Sequence, residues 1–515
     1  MKILTAEQIR QADAYTIKHE PIKSIDLMER AASRCFDWIY ENAPRLFDSK
    51  NTDEKDWVFN IVVGPGNNGG DGLVIARLLQ RVGYDVQVSH VKLTDTPSPD
   101  FVSNFSKLGK LKKSLIEISS EKKVPDYAPN SVIIDAVFGT GLNRPAEGIA
   151  ASVIDKINQS GATVVSIDLP SGMFSEDNSE NNRNGIVGSD YVLTFELPKL
   201  AFYLAESAHY IRELVVLDIG LHPDFLNEVD TTYHLLSDGN VSLLRRPRGK
   251  FDHKGTFGHA LIIAGSEGKR GAALMAVEAS LRAGAGLVTL HTDKEGATLL
   301  HQSTREAMVS IDPSSDGSLS ELPDLKKFNS IAVGPGSGTS EHTVNALKQL
   351  IQNAAVPLLL DADALNVLAE NPTWLAFLPT GSILTPHPGE FARLIGDKKT
   401  HYQNIEAQRE LSRKHGIYIL LKGGKSTLSL PDGQVLINST GNPGMASGGM
   451  GDVLTGIISG LLASGYQPMQ AAAMGMYVHG RAADIALEKE SVESLIATDV
   501  INFLGRAFQS LQNEN

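Results

Sequence analysis

The sequence predicts two α/β domains, each built on an open and mainly parallel β-sheet, and three observations carry that prediction. The chain has 515 residues, too many for one ordinary core when single domains run to about 100–250 residues. Short β-branched runs alternate with helical or loop segments through both halves, the pattern of strands separated by crossover helices. Each half also carries a glycine-rich segment in front of a helical pattern, VVGPGNNGGDG from Val62 and GNPGMASGGMGD from Gly441. A glycine loop opening a helix is an arrangement that holds anions.

Between Trp57 and Gly220 the runs VFNIVVG, SVIIDAVFG, TVVSID, YVLTF and LVVLDIG predict successive strands of one sheet. LVIARLLQRVG places Leu73, Ala76 and Leu79 on one helical face, so a helix is predicted to begin just after the first glycine cluster. Beyond Gly220 the composition turns polar and rich in turn formers, through HPDFLNEVDTTYHLLSDGN and RRPRGKFDHKG, before a new apolar strand starts at Ala260. The expected division is a first domain over residues 1–222, a linker over 223–245 and a second domain over 246–515. The second half repeats the alternation in LIIAGS, GLVTL, SIAVG, PLLLDAD, GSILTP and IYILLKGG. A hairpin, STLSLPDGQVLINST, turns at Asp432 and Gly433, and long helices follow to the C-terminus. VVGPGNNGGD and AVGPGSG look alike, but their flanks do not align in register, so they are independent strand-to-loop turns.

Composition excludes several function classes. There are 47 Lys+Arg against 60 Asp+Glu, a net charge of −13, and no basic run that could track a phosphate backbone, so nucleic acid is not an expected partner. The single cysteine, Cys35, lies in an amphipathic segment where packing accounts for it. One cysteine allows no disulfide framework, which suits a reducing compartment. The start MKILTAEQIRQADAYTI lacks an apolar signal core, and no stretch approaches the roughly 20 apolar residues of a membrane span. A cytoplasmic protein without a membrane partner is expected, with a symmetric homo-oligomer as the general prior.

The chemistry of the second half centres on GNPGMASGGMGDVLTGIISGLLASG. Gly448, Gly449 and Gly451 let the backbone turn its N–H groups toward one point, and the helix that follows aims its positive end there. Asp452 occupies the first turn, where a plain capping role would stabilise any carboxylate. So much glycine in front of a helix sacrifices more helix propensity than a cap requires, which favours catalysis. As a general base, Asp452 would take the proton of a hydroxyl attacking a terminal phosphoryl group. Upstream, IYILLKGGKS ends a buried strand in Lys422, Gly423, Gly424, Lys425 and Ser426, at the mouth where open α/β sheets bind ligands, and phosphate contact is expected there. TPHPGEF holds His387 extended between two prolines with Glu390 three residues on, fit for a ligand contact or for a capped loop. Asp361, Asp363 and Asn366 of DADALN would either organise Mg²⁺ around phosphates or cap the next helix.

In sequence order HKGTFGHALIIAGS, GAALMAVEASLRAGAGLVTL, VGPGSG, TPHPGE, KGGKS and GNPGMASGGMGDVLTG resemble the ADP- or ATP-dependent NAD(P)H-hydrate dehydratases, a ribokinase-like family, over the whole second half. In the wider superfamily the segment at His387 usually reads TPNxxE, so this chain follows the dehydratase version, while Met450 stands where many dehydratases carry a small polar residue. The resemblance implies that Ala272, Gly336, His387 and Asp452 bind the hydrate and that Lys422, Gly423, Gly424, Lys425, Ser426 and Gly451 bind the nucleotide. The first half resembles the NAD(P)H-hydrate epimerases through GPGNNGGDG, DAVFGTGLNRP and SIDLPSG, which implies a Rossmann-like open parallel sheet. By that resemblance Asn67, Asn68, Gly69, Gly70 and Asp71, with Gly139, Thr140, Gly141, Leu142, Asn143, Arg144 and Pro145, line the hydrate's pocket, and Asp168 sits beside the reacting ring. Asn68, Asp135 and Ser171 match the family's K⁺ ligands, and an amide oxygen, a carboxylate and a hydroxyl at strand ends form a hard oxygen site. Asp168 is the candidate acid/base for inverting one centre of the ring, with Lys199 in ELPKLAF a weaker candidate that snorkelling at a strand end would explain.

The two resemblances together imply a bifunctional repair enzyme. Hydration of reduced nicotinamide gives two epimers, and an enzyme that dehydrates only the S form needs a partner activity that interconverts them. The implied dehydratase step is phosphoryl transfer from ADP to the ring hydroxyl, with Mg²⁺, followed by elimination to NADH or NADPH, AMP and phosphate. Two other readings compete: a first domain that only binds a ligand or partner, and a second domain that is a kinase releasing a phosphorylated small molecule.

Overall fold

The structure is a computed structural model that describes residues 1–47, 57–314 and 319–512. The chain divides into two compact units, Lys2–Thr231 and Thr232–Asn515 with Met1. No helix among the described residues is long and apolar enough to cross a membrane.

The first unit opens with two helices, α1 (Ala6–His19) and α2 (Ser24–Leu46), and continues through β1 (Val58–Val63), α3 (Asn67–Arg81), β2 (Asp85–Val91), α4 (Pro99–Ser106), β3 (Ile116–Ile118), β4 (Val132–Ala136), α5 (Ile149–Gln159), β5 (Thr163–Ile167), β6 (Ser189–Phe195) and β7 (Ile211–Leu217). The strands lie side by side in the order β3-β2-β1-β4-β5-β6-β7, and every pair is parallel. Alternation along β4 explains why both faces are covered. Val132 and Ile134 enter an apolar cluster with Leu73, Leu79 and Cys35, while Ile133 enters one with Val153 and Ile157 on the opposite face. The sheet grows outward in both directions from β1 and β4, so the strand order reverses between them and leaves a crevice at their carboxyl ends.

One sequence expectation needs correction here. The helix does not begin after the glycine cluster but at Asn67, so Gly69, Gly70 and Gly72 lie inside its first turns. Their role is close approach: a Cβ at Gly69 would stand 1.8 Å from the Gly64 oxygen, and one at Gly72 would stand 2.7 Å from the Ala136 side chain. The similar AVGPGSG segment differs in backbone, with Gly334, Gly336 and Gly338 all at positive φ, which supports two independent turns.

The second unit runs through β8 (Tyr233–Leu235), β9 (His259–Ile263), α6 (Arg270–Arg282), β10 (Leu287–Thr292), α7 (Lys294–Ser303), β11 (Met308–Ile311), β12 (Ser330–Val333), α8 (Glu341–Asn353), β13 (Leu358–Leu360), α9 (Asp363–Glu370), β14 (Ile383–Leu384), α10 (Pro388–Ile395), α11 (His401–His415), β15 (Tyr418–Leu421), β16 (Thr427–Ser429), β17 (Val435–Ile437), α12 (Met450–Ala463), α13 (Pro468–Ala486) and α14 (Ala497–Ser510). The sheet order is β8-β17-β16-β15-β14-β13-β12-β9-β10-β11. Strands β9 to β15 pair in parallel, and the β16–β17 hairpin adds antiparallel neighbours, turning with Gly433 at φ 93° as the sequence predicts. Along β9, Ala260 and Ile262 pack under α6 and α12, whereas Leu261 and Ile263 pack on the other face with Leu347 and Leu365. Helix α12 crosses α6 unusually closely because Gly456 and Gly460 face it: a Cβ at Gly456 would lie 2.2 Å from the Ala276 oxygen. Small residues in α6 therefore serve helix packing, and that packing fixes where the N-terminus of α12 lies.

Candidate active sites

The first site occupies the crevice at the reversal between β1 and β4, a cavity of about 860 Å³. Residues 139–145 line it, together with Asn67, Asn68, Asp71 and Asp168. Gly69 and Gly70 do not; they face Gly64 and Met28 and let α3 settle against its neighbours.

Asp168 follows β5 directly and adopts φ 64°, a left-handed conformation that costs a non-glycine residue roughly 1–3 kcal/mol. Its N–H donates to the Leu193 carbonyl at 2.7 Å, so pairing with β6 holds that conformation. The side chain is held as firmly. Lys199 Nζ donates to Asp168 Oδ1 at 2.6 Å, with Thr194 Oγ1 at 3.3 Å and the Phe195 N–H at 3.4 Å on the same oxygen. Among the described residues every hydrogen bond to this carboxylate converges on Oδ1, which leaves Oδ2 to the cavity. Lys199 is 1% exposed and donates further to Thr194 Oγ1 at 2.7 Å. It does not snorkel to solvent, as the sequence reading allowed; its buried ammonium pairs with the Asp168 carboxyl group and fixes its position.

Asn68, Asp135 and Ser171 converge below the same cavity. Ser171 Oγ donates to Asp135 Oδ1 at 2.5 Å and its N–H to Oδ2 at 2.8 Å, while Ser166 Oγ donates to Oδ2 at 2.7 Å. Asn68 Nδ2 donates to the Phe138 carbonyl at 2.7 Å, and the Phe138 N–H donates to Ser171 Oγ at 2.9 Å. Burial pushes the Asp135 carboxyl up against those stabilising hydrogen bonds. Asn68 Oδ1 is buried without a hydrogen-bond partner. An orphaned amide oxygen beside a buried carboxylate and a hydroxyl is the donor set a weakly hydrated cation satisfies.

The second site is a cavity of about 390 Å³ walled by the turn after β15, the loop after β17 and the start of α12. Lys422, Gly423, Gly424, Ser426, His387 and Gly451 line it; Lys425, Ala272, Gly336 and Asp452 are not among its lining residues. Gly449 caps α12 at φ 90°, a conformation that needs glycine, and Asp452 sits in the first turn. Gly451 approaches the Lys422 ammonium so closely that a Cβ there would lie 3.2 Å from Nζ. Lys422 donates to Asp361 Oδ1 at 2.7 Å, Glu390 Oε2 lies 3.9 Å away, and Thr455 Oγ1 donates to Asp361 Oδ2 at 2.8 Å. Asp452 therefore stands in a field of buried carboxylates. Burial, then Asp361, pushes its carboxyl up to about 6 against the pull of Lys422, with Asp363 and Glu390 adding to the rise. Burial disfavours the Lys422 charge, yet Asp361 and Glu390 outweigh it and raise the ammonium above its usual range.

Ala362, at φ 48°, separates Asp361 from Asp363. Asp363 Oδ2 accepts the Gly338 N–H at 2.9 Å and the Lys269 ammonium at 3.1 Å. Gly336 is left-handed with Lys269 packed against it, and the Ala272 N–H donates to the Lys269 carbonyl at 3.2 Å. Lys269 thus ties Ala272 and Gly336 to the Asp363 side of the site. His387 is both a cap and a wall. Its Nδ1 accepts the Gly389 N–H at 3.0 Å and its N–H donates to Glu390 Oε2 at 2.8 Å, and a ring accepting at Nδ1 carries its neutral-state proton on Nε2. Lys425 donates to the Ser439 carbonyl at 3.1 Å, with burial lowering its proton affinity. Sequence reasoning missed Asp13, Asn438, Thr440 and His479, which line the two cavities. Asp13 and His479 sit in ordinary helices far from the motifs, so only the packing reveals them, whereas Asn438 and Thr440 end the hairpin segment just before Gly441 and were within reach of the sequence reading.

A family model described as NAD(P)H-hydrate dehydratase matches residues 260–506, and one described as YjeF-related protein N-terminus matches residues 24–201. The bifunctional NAD(P)H-hydrate repair enzyme of Moorella thermoacetica is 35% identical over 529 residues, covering 100% of this chain and 98% of the relative. That of Thermofilum pendens is 35% identical over 467 residues, covering 88% of each chain. The crystal structure of an ADP/ATP-dependent NAD(P)H-hydrate dehydratase from Bacillus subtilis, co-crystallised with ATP/Mg²⁺, is 30% identical over 54% of this chain and 98% of that one, with a TM-score of 0.47.

Proposed function

This chain belongs to the bifunctional NAD(P)H-hydrate repair enzymes, and from that premise we propose how its two cavities divide the work. The first unit interconverts the R and S hydrates of NADH and NADPH. The second dehydrates the S hydrate at the expense of ADP. What carries this reading is that each site is completed by an aspartate held in an energetically costly state, Asp168 in a left-handed backbone and Asp452 among buried carboxylates.

In the second site the turn Lys422–Ser426 and the amide end of α12 receive the nucleotide phosphates, and His387, with Nε2 3.4 Å from Glu390 Oε1, forms the wall that meets the hydrate. Ala272 and Gly336, held against Lys269 outside the lining of the 390 Å³ cavity, carry the hydrate contact only by the family resemblance. Asp452 takes the proton of the ring hydroxyl as its oxygen attacks the β-phosphoryl group of ADP, releasing AMP. Loss of phosphate from the ring carbon, with a proton from its neighbour, then restores the double bond. Both oxygens of Asp361 are engaged by Lys422 and Thr455, and no group of three or more His, Cys, Asp or Glu side chains fit to hold a metal occurs among the described residues. Among the described residues no side chains build a magnesium cage, and Mg²⁺ enters with the nucleotide.

In the first site Asp168 is the acid/base. Asn68 Oδ1, Asp135 and Ser171 fit K⁺, which when bound would supply positive charge to a buried carboxylate. We further place the chain in the cytoplasm as a homo-oligomer, a reading supported by the lone buried thiol and by the general prior for symmetric assembly. The deciding experiment mixes the protein with both hydrate epimers, ADP, Mg²⁺ and K⁺ and follows the return of reduced-nicotinamide absorbance. Full recovery supports both sites. Recovery of the S share alone removes the first, and a stable phosphorylated product would show a kinase instead.

A further inference from the structure

Five carboxyl groups line the first cavity, those of Asp13 from α1, Asp71 from α3, Glu147, Asp168 and Glu196, with Lys199, Arg10 and Arg144 as its cations. Lys199 is committed to Asp168 Oδ1 at 2.6 Å and Arg10 to Glu7 Oε2 at 2.7 Å, so neither of these cations pairs with Asp13 or Asp71. Asp71 is 7% exposed, and neither its carboxyl nor that of Asp13 has a hydrogen-bond or ion-pair partner among the described residues. Burial pushes the Asp71 carboxyl well above the ordinary carboxylate range, with Asp168 adding to the rise. Asp13 is pushed up to about 6, first by burial and then by the Asp168 charge, with Lys199 opposing. Asp168 bonded to a buried ammonium and Asp13 unpaired on the same cavity wall are two carboxyl groups in unlike settings, the arrangement that divides a base from an acid.

Resting on the epimerase reading of this site, we propose that Asp13 is a second catalytic residue of epimerisation, serving the ring nitrogen while Asp168 Oδ2 serves the ring hydroxyl. Water added to an enamine leaves its hydroxyl on the carbon bonded to nitrogen, so the hydrate is a hemiaminal, and such a carbon inverts by opening and reclosing. Asp168 takes the hydroxyl proton as the C–N bond breaks; the electron pair of that bond goes to nitrogen, which receives the Asp13 proton, and the carbon becomes an aldehyde. Rotation about the adjacent C–C bond presents the other face. On closure nitrogen attacks that face, Asp13 recovers its proton from nitrogen and Asp168 returns its own to the oxygen. No proton or electron is gained or lost overall. Oδ1 of Asp168 is taken up by Lys199, Thr194 and the Phe195 N–H, so only its Oδ2 can serve the hydrate and a second group is needed at the nitrogen.

The test follows conversion of R hydrate to S hydrate by the full chain without ADP, so that dehydration does not intervene. Asp13→Asn is expected to lower the saturated rate by about 10²-fold or more while the hydrate KM moves less than about threefold, the signature of a lost proton transfer. Asp13→Glu, which keeps the carboxyl, is expected to recover part of the rate. An Asn variant at the wild-type rate, or a Glu variant no faster than the Asn variant, overturns the role of Asp13. Asp168→Asn run alongside separates the two claims: if it too interconverts the epimers normally, the epimerase reading of the cavity has failed, not merely the role of Asp13.

Discussion

Asp452 illustrates how a single residue can be expensive and useful for the same reason. Its folded carboxyl titrates near about 6 rather than 3.8, so the folded state binds its proton more tightly than the unfolded chain does. The corresponding stability is fully present below the unfolded value and is lost as pH rises through about 6, costing about 1–3 kcal/mol at neutral pH. Asp452→Asn should therefore raise the unfolding temperature of its unit at about pH 8 and leave it unchanged at about pH 3, while dehydration falls about 10²–10⁴-fold. In the native enzyme the same titration makes dehydratase kcat/KM climb as pH passes upward through about 6; a flat profile would deny Asp452 the base role. Lys422 has the opposite character, since it compensates a buried charge. Lys422→Ala leaves Asp361, 1% exposed, without its cation and should cost about 3–5 kcal/mol together with ADP binding. Adding Asp361→Asn should return much of the stability and none of the binding, and equal unfolding temperatures for the single and double variants would contradict this. Asp452 and Lys422 were legible because glycine runs mark them. Asp13 was not, because MKILTAEQIRQADAYTI is an ordinary amphipathic helix until the tertiary structure brings it to a cavity wall.

At the scale of elements, the parallel strands and the β16–β17 hairpin follow from β-branched runs bounded by turn residues, and the structure places them as the sequence predicts. The glycines were harder to interpret, because two physical roles share one residue type. Gly449 is required for its left-handed backbone, whereas Gly69 and Gly72 serve close packing inside a helix, and only coordinates separate the two roles. Gly456 shows what that packing controls. Its missing Cβ would meet backbone, the Ala276 oxygen at 2.2 Å, which cannot rotate away. Gly456→Ala should push α12 off α6, cost about 1–3 kcal/mol and displace Asp452 at the head of the helix, lowering dehydration more than a surface change of equal stability cost would. Gly505, inside α14 with nothing within 4 Å of its would-be Cβ, is the contrast. Gly505→Ala should stabilise by up to about 1 kcal/mol through helix propensity alone and leave activity unchanged. Thermal unfolding and ADP-driven turnover of the two variants check both outcomes, and equal behaviour would mean that the α12–α6 crossing does not position the site.

At the scale of the molecule, each unit owns a sheet with apolar clusters on both faces, so each has the means to unfold as a cooperative body. The proposed ligands are divided in the same way, nucleotide phosphates to the unit that holds Lys422 and Gly451 and a monovalent cation to the unit that holds Asn68 and Asp135. A ligand that binds only the folded form stabilises by RT ln(1 + [L]/Kd), about 2.7 kcal/mol at a hundredfold excess over Kd. Calorimetry of the full chain should thus resolve a transition that ADP with Mg²⁺ moves upward and another that K⁺ moves upward. Asn68→Ala should abolish the potassium shift by removing the orphaned oxygen while leaving the ADP shift intact, and Lys422→Ala should do the reverse. A chain in which ADP stabilises the transition of residues 2–231, or in which Asn68→Ala leaves the potassium response whole, would overturn this assignment of ligands to units. The two ligands test different physics: one site binds with backbone amides and a compensated lysine, the other with an amide oxygen that the fold leaves without a partner, together with a buried carboxylate and a hydroxyl.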